Sequence, residues 1–280
     1  MHSIKSPLRY PGGKSKALTH IQNYLPSEFK EFREPFVGGG TLFIYVRQKF
    51  PSIPVWINDL NYELIAFWLC ARDQLAQLVA EVERVKRTTQ DGRKLFEELS
   101  NVEVDKLTQL ERAVRFFVLN RISFSGTVEA GGYSEKAFRA RFTFSSIERI
   151  QVLKDIMTNV RITHADYRQV IQAEGNGVFI FLDPPYFSAT DSHLYGRNGV
   201  LHTSFDHDSF AQEIRRCQHQ WMITYDDSEK IRDSFNFAYQ FAWTLQYGMN
   251  NYKQASAEKG NELILTNYRV AKQVNLSTRE

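Results

Sequence analysis

The chain has 280 residues, 42% of them hydrophobic, and a formal net charge of +3, which is enough for one good-sized core or a core plus a smaller module. No apolar run reaches the roughly 18 residues of a membrane span, and residues 1–7 lack the apolar stretch of a secretory signal. Two cysteines, Cys70 and Cys217, are too few for a disulfide framework or a zinc site, so a cytoplasmic protein without a metal or a membrane partner is expected. In chain order, LRYPGGK at 8–14 places a double glycine between an aromatic residue and a lysine. Residues 32–37 form a short apolar stretch ending in Gly38, Gly39 and Gly40, and a helix is predicted over 41–50. Residues 55–59 read as a second strand, closed by Asp59. Helical spacing then runs through Leu64, Phe67, Trp68, Ala71, Leu75, Leu78 and Val82, and again through Leu110, Val114, Phe117 and Val118. Between the second of these helices and a capping-box pattern at Ser145–Glu148, residues 123–144 are rich in glycine, serine and aromatics, which predicts a hairpin or long loop. Strands follow at 160–164 and 178–182, then a helix opened by Asp206, then strands at 221–225 and 262–268.

This order describes an α/β domain of residues 1–66 and 156–280, interrupted by a mostly helical insertion over 67–155. No internal repeat or flexible linker is present. Residues 109–154 hold eight Lys/Arg and four Asp/Glu, a net charge of +4 that exceeds the whole chain's. Local positive charge of this kind suits a phosphate-binding face, although a solvated helix surface has the same composition.

Most of the chemistry is legible at strand ends. The run Val178–Leu182 is apolar throughout, the pattern of a strand buried on both faces, and Asp183-Pro184-Pro185-Tyr186 follows it directly. The lone pair of an exocyclic amine is delocalised into its ring. A carboxylate and a backbone carbonyl that accept its two N–H groups pull the nitrogen towards tetrahedral geometry and turn that pair to an electrophile. Asp183 supplies the carboxylate, Pro184 a carbonyl on a rigid backbone, and Tyr186 a ring on which a base stacks. Positioning and electrostatics then do most of the work. Gly38, Gly39 and Gly40 let backbone approach a ligand closely, and Asp59, 19 residues after Gly40, is placed to take two ribose hydroxyls. That pair alone fits a nicotinamide dinucleotide equally well. Asp166 and Tyr167, after the strand at 160–164, suit an adenine pocket, but an acid there is also a common helix cap. Neither cysteine stands beside a proline, which excludes the nucleophile of a C5-cytosine methylase.

Taken together, LRYPGGK at 8–14, EPFVGGG at 34–40, IND at 57–59, AD-Tyr at 165–167, DPPY at 183–186 and ELILTNY at 262–268 resemble the Dam-type, D12 class of N6-adenine DNA methyltransferases over nearly the whole chain. The resemblance implies a Rossmann-like seven-stranded sheet, mainly parallel with an antiparallel last strand, and an inserted target-recognition domain. It implies S-adenosylmethionine as cofactor, S-adenosylhomocysteine as product and double-stranded DNA as partner, with a monomer expected in solution. By position, Tyr10, Gly12, Lys14, Pro35, Phe36, Gly38, Gly39, Gly40, Asp59, Asp166, Tyr167 and Asp183 match the cofactor site, and Asp183, Pro184, Pro185 and Tyr186 the catalytic tetrapeptide. The recognition segment departs most: Asn120-Arg121 keeps the family's start, but the residues after it do not follow the usual Asn-Gly-rich hairpin. Arg121, Lys136, Arg139 and Arg141 are its DNA-binding candidates, with Phe124, Tyr133, Phe138 and Phe142 between them. Residues 188–203, small and polar after the tetrapeptide, are expected to be mobile without DNA, because a duplex adenine must flip out past them. The rival readings are a nicotinamide oxidoreductase, a DNA-binding module without catalysis, and the same chemistry on an RNA base, a protein glutamine or cytosine N4.

Overall fold

A computed structural model of the chain describes residues 4–10, 13–128, 131–187, 205–246 and 259–270. Its frame is a seven-stranded sheet of β1 (Glu31–Glu34), β2 (Val55–Asp59), β3 (Val160–His164), β4 (Val178–Leu182), β5 (Gln220–Asp226), β6 (Tyr239–Gln246) and β7 (Lys259–Thr266), in the order β3-β2-β1-β4-β5-β7-β6. The first five strands pair in parallel, and β7 runs antiparallel to both β5 and β6. This is the Rossmann-like arrangement expected from the sequence. Strand order reverses between β1 and β4, which opens a crevice at the carboxyl ends of these strands.

β4 shows why the sheet is covered on both sides. Every residue of it is buried. Phe179 and Phe181 enter one apolar cluster with Phe32, Ile57, Met222 and Ile264. Val178, Ile180 and Leu182 enter the other with Trp221, Ile223, Leu263 and Leu265. The alternation follows the two-residue period of a strand, and helices close each face.

Those helices are α1 (Leu18–Ile21), α2 (Thr41–Lys49), α3 (Tyr62–Asp73), α4 (Leu75–Thr88), α5 (Gly92–Asn101), α6 (Gln109–Ile122), α7 (Glu135–Arg141), α8 (Phe144–Gln151), α9 (Tyr167–Gln172), α10 (His207–Arg216) and α11 (Glu229–Ser234). α3 to α8 fall between β2 and β3. Side-chain caps satisfy free amides at several helix starts. Asn61 accepts from Glu63 N and Leu64 N at 3.0 and 3.2 Å at the head of α3. Thr108 and Glu111 cap α6 reciprocally, and Asp206 caps α10 through Ser209 N at 2.9 Å.

Local details differ from the sequence expectation. The helical run over 63–87 is two helices, broken at Gln74, whose φ of −134° and ψ of 34° leave the helical region. The cap of α8 is Thr143, paired reciprocally with Ser146, so the capping box starts two residues before Ser145. Residues 123–144 do not form an extended hairpin among the described residues. A single bridge joins Ser123 to Tyr133, and Glu135–Arg141 is helical, opened by the Ser134 side chain on Ala137 N. No helix among the described residues is long and apolar enough to cross a membrane.

Candidate active site

β1 delivers the first part of the site. Its last residue, Glu34, is buried and accepts from Phe43 N at 2.9 Å, tying the strand to α2. Burial pushes the Glu34 carboxyl well above the usual range, and the charges of Asp183 and Asp59 push the same way. The chain then turns through Pro35, Phe36, Val37 and the three glycines. Gly38 and Gly40 have φ of +45° and +67°, a region that disfavours side chains. A Cβ on Gly38 would stand 2.9 Å from the Tyr10 ring, and one on Gly40 would stand 2.3 Å from the Phe43 ring. The glycine loop is therefore closed over by Tyr10, and Ser6 adds a hydroxyl bond to Gly39 O. Residues 11 and 12, including Gly12, lie outside the described residues.

β2 supplies Asp59. Its Oδ2 accepts from Gly38 N at 3.0 Å and its Oδ1 from Asn61 N at 3.0 Å, so the carboxylate is held by the loop it faces. Burial raises its pKa against these backbone bonds. The preceding Asn58 donates to Pro35 O at 3.0 Å and Ala165 O at 2.9 Å, stitching the ends of β1, β2 and β3 together. Phe36 packs against Tyr167, with ring centres 5.4 Å apart, and against Phe205 and Phe210, forming an aromatic wall beside the loop. Asp166 caps α9 through Arg168 N at 2.9 Å and pairs with the Arg168 guanidinium at 2.8 Å, so its carboxylate is committed to the helix start.

At the end of β4 the tetrapeptide meets the N-terminal motif. Asp183 Oδ1 lies 2.7 Å from Lys14 Nζ and accepts from Thr224 Oγ1 of β5 at 2.7 Å. The Lys14 ammonium sits 4.9 Å from the centre of the Tyr186 ring. Tyr186 donates its hydroxyl to Glu262 Oε2 of β7 at 2.6 Å. Burial, then the acids Asp183 and Glu262, push the Tyr186 phenol well up, so it stays a donor. Glu262 is 2% exposed, and burial pushes its carboxyl up to about 7, against the Tyr186 hydrogen bond and the Lys14 charge. Asp226 accepts from Phe187 N at 2.8 Å, fixing the residue after the tetrapeptide. Sequence reasoning did not single out Thr224, Asp226 or Glu262. The signal for Glu262 was an acid placed directly before the apolar Leu263-Ile264-Leu265 of ELILTNY.

The family model for the D12 class N6 adenine-specific DNA methyltransferases matches residues 10–249. The chain belongs to this family. It is 26% identical to a type II methyltransferase of Lactococcus lactis subsp. cremoris, covering 93% of this chain and 94% of that protein. It is 29% identical to the DNA N-6-adenine-methyltransferase of Escherichia phage P1 over 65% of this chain and 24% of that one. A DNA adenine methylase of Vibrio cholerae is 21% identical over 66% of each chain. The reaction is therefore methyl transfer to adenine N6 in DNA, and a methyltransferase family of this kind implies S-adenosylmethionine as donor.

The methyltransferase's remaining candidates lie in the helices between β2 and β3. Lys136 and Arg139 are exposed on α7, and Arg139 pairs with Glu135, one turn earlier. Arg141 is exposed at the end of α7, whereas Arg121, at the end of α6, is 3% exposed. Of the four aromatics, Phe142 is buried, Phe138 packs between Tyr133 and Phe142, and only Phe124 stands well clear, 64% exposed. Phe124 borders a tight turn in which Ser125 and Gly126 have φ of +54° and +79°. Residues 188–203, expected to be mobile, lie outside the described residues.

Proposed function

We propose that Asp183 and the Pro184 carbonyl accept the two N–H groups of the target adenine's amino group, with the base lying against Tyr186. The observation that carries this reading is the junction of Lys14, Thr224 and Asp183. Among the described residues both polar contacts of Asp183 fall on Oδ1, which orients the carboxylate and offers Oδ2 to the amine. Glu262 holds the Tyr186 ring through its hydroxyl. Bound at this site, S-adenosylmethionine supplies a methyl group on a sulfonium, an electrophile that needs no metal or strong base. The residues fit it: a backbone loop with left-handed glycines under Tyr10, a carboxylate at Asp59 for the ribose, and the Phe36–Tyr167 aromatic wall. Tyr10, Gly12, Lys14, Pro35, Phe36, Gly38, Gly39, Gly40, Asp59, Asp166 and Tyr167 are its assigned neighbours, Asp166 acting through the start of α9. The proton that the amine loses has an immediate acceptor in Asp183.

The substrate in this reading is duplex DNA, with the adenine flipped from the stack. Residues 67–155 act as the target-recognition unit, and Arg121, Lys136, Arg139 and Arg141 as its DNA contacts. Phe124, the exposed aromatic of the segment, is placed to fill the gap that a flipped base leaves. The test is incubation of unmethylated genomic DNA with the purified protein and labelled S-adenosylmethionine, digestion to nucleosides, and long-read mapping. Label in N6-methyladenine at one short sequence is expected. Label in N4-methylcytosine, or none in any DNA across a range of salt, would overturn the reading.

A further inference from the structure

Among the described residues, the buried arginines other than Arg121 are each provided with at least one acceptor. Arg33 donates to Glu31 and to the carbonyls of Val170, Ala173 and Glu174. Arg47 donates to Ile53 O and Thr158 O, and Arg115 to Leu99 O, with Glu63 nearby. Arg121 is the exception. It is 3% exposed, lies over the Phe117 ring at 5.2 Å, and its Nε is enclosed without an acceptor. Its charged neighbours are cations: burial first, then the charges of Arg9, Arg149 and Arg141, push its guanidinium down to about 9. Arg9 in turn feels burial first and then Arg141. Among the described residues, none of the four is in an ion pair.

Enclosing a guanidinium without an anion, and crowding three more around it, costs stability. Such an arrangement is sustained where a ligand brings the missing charge. The guanidinium fork matches phosphate oxygens, and Arg141 and Arg149 are exposed whereas Arg121 is buried. We propose that Arg121, with Arg9, Arg141 and Arg149 around it, is the binding site for one backbone phosphate of the DNA. This rests on the reading of residues 67–155 as the DNA-binding unit, and it adds Arg9 and Arg149 to that unit. The site also touches the catalytic machinery. Arg9 begins the segment that continues to Tyr10 over the glycine loop and to Lys14 on Asp183. A phosphate held there draws the N-terminal segment and the recognition helices onto the same strand of DNA.

The experiment is duplex binding by anisotropy across a range of salt, for the parent and for Arg149→Ala, Arg141→Ala and Arg139→Ala. Thermal melts without DNA, in sodium sulfate and in sodium chloride of equal ionic strength, accompany it. Arg149 is exposed, so its replacement leaves the fold intact. Arg149→Ala should weaken target-bearing and unrelated duplexes by equal factors and make the plot of log affinity against log salt shallower by about one. With one like charge removed, it should also melt higher than the parent in low salt, and sulfate should raise its melting temperature less than the parent's. An unchanged salt slope with an equal sulfate effect would overturn the phosphate site. If Arg139→Ala weakens binding in that same experiment, the recognition reading survives; if no variant does, that reading falls as well. A sulfate effect that depends on Arg149 without a change in DNA binding would show an anion site that is not for DNA, and would overturn the proposal as stated.

Discussion

At the residue scale, the site gathers carboxylates that burial makes reluctant to ionise. Glu262 has the clearest consequence. Its folded pKa of about 7 lies above the ordinary 4.5, so the unfolded chain ionises first as pH rises. Stability contributed by the protonated form is present below about pH 4.5, falls between there and about pH 7, and is constant beyond. Glu262→Gln keeps an acceptor for the Tyr186 hydroxyl but removes the titration. The variant should gain on the parent in melting temperature as pH rises from 5 to 8; an equal difference at both values would show that Glu262 does not titrate there. Asp183→Ala should abolish turnover in a protein that still melts cooperatively, because it removes the acceptor proposed for the amine. Activity within tenfold of the parent would exclude that role. Asp59→Ala loses charge-assisted bonds of about 1.5–3 kcal/mol, so calorimetry should find S-adenosylmethionine bound roughly 10- to 150-fold more weakly. Unchanged affinity would remove Asp59 from the cofactor site.

At the scale of elements, the sequence disclosed what period and punctuation encode. β3 and β4 have the expected bounds, and the tetrapeptide ends β4 as its apolar run requires. β6 is different. Tyr239–Gln246 alternates polar and apolar residues on a partly exposed edge, a weak pattern beside the buried runs. The helix Glu135–Arg141 was hidden because its glycine-rich approach reads as a loop. Thr224 and Glu262 escaped notice because Thr224 reaches Asp183 only once β4 and β5 pair in parallel, and Glu262 reaches Tyr186 only once β7 pairs antiparallel with β5, with Asp226 opposite Glu262. Asn120 is similar: a buried amide near the end of α6 that accepts from Arg9 N at 2.9 Å and donates to Arg9 O at 2.5 Å and Gly126 O at 2.9 Å. It joins residues 111 positions apart, which no local pattern records. Asn120→Ala leaves these backbone groups unsatisfied, at about 1–3 kcal/mol for each that stays buried. The expected result is a lower melting temperature together with weaker S-adenosylmethionine binding, since the released segment carries Tyr10 and Lys14. A loss of stability alone, with cofactor affinity intact, would show that the clamp does not reach the site.

At the scale of the whole molecule, the helical insertion and the sheet are one mechanical unit. α3 leaves β2 directly after Asp59, and its Trp68 is buried against Phe43 and donates to Gly38 O at 3.2 Å. From the same helix, Arg72 donates to Val160 O of β3 at 2.9 Å. One apolar cluster runs from Phe32, Ile57 and Phe179 of the sheet to Leu78, Phe117, Phe142 and Ile150 of the insertion. An insertion hung on a linker would melt by itself, whereas this one shares its apolar core with the strands of the sheet. Thermal unfolding followed by far-ultraviolet dichroism and by tryptophan fluorescence should therefore coincide, and S-adenosylhomocysteine should raise both midpoints by the same amount, as a ligand of the native state does. Trp68→Ala should lower both together, through a loss of about 3–5 kcal/mol of stability for an aromatic removed from a core. If the helical signal instead melted separately and ignored S-adenosylhomocysteine, the insertion would be an independent domain, and contact with DNA there would have no route through packing to Asp183.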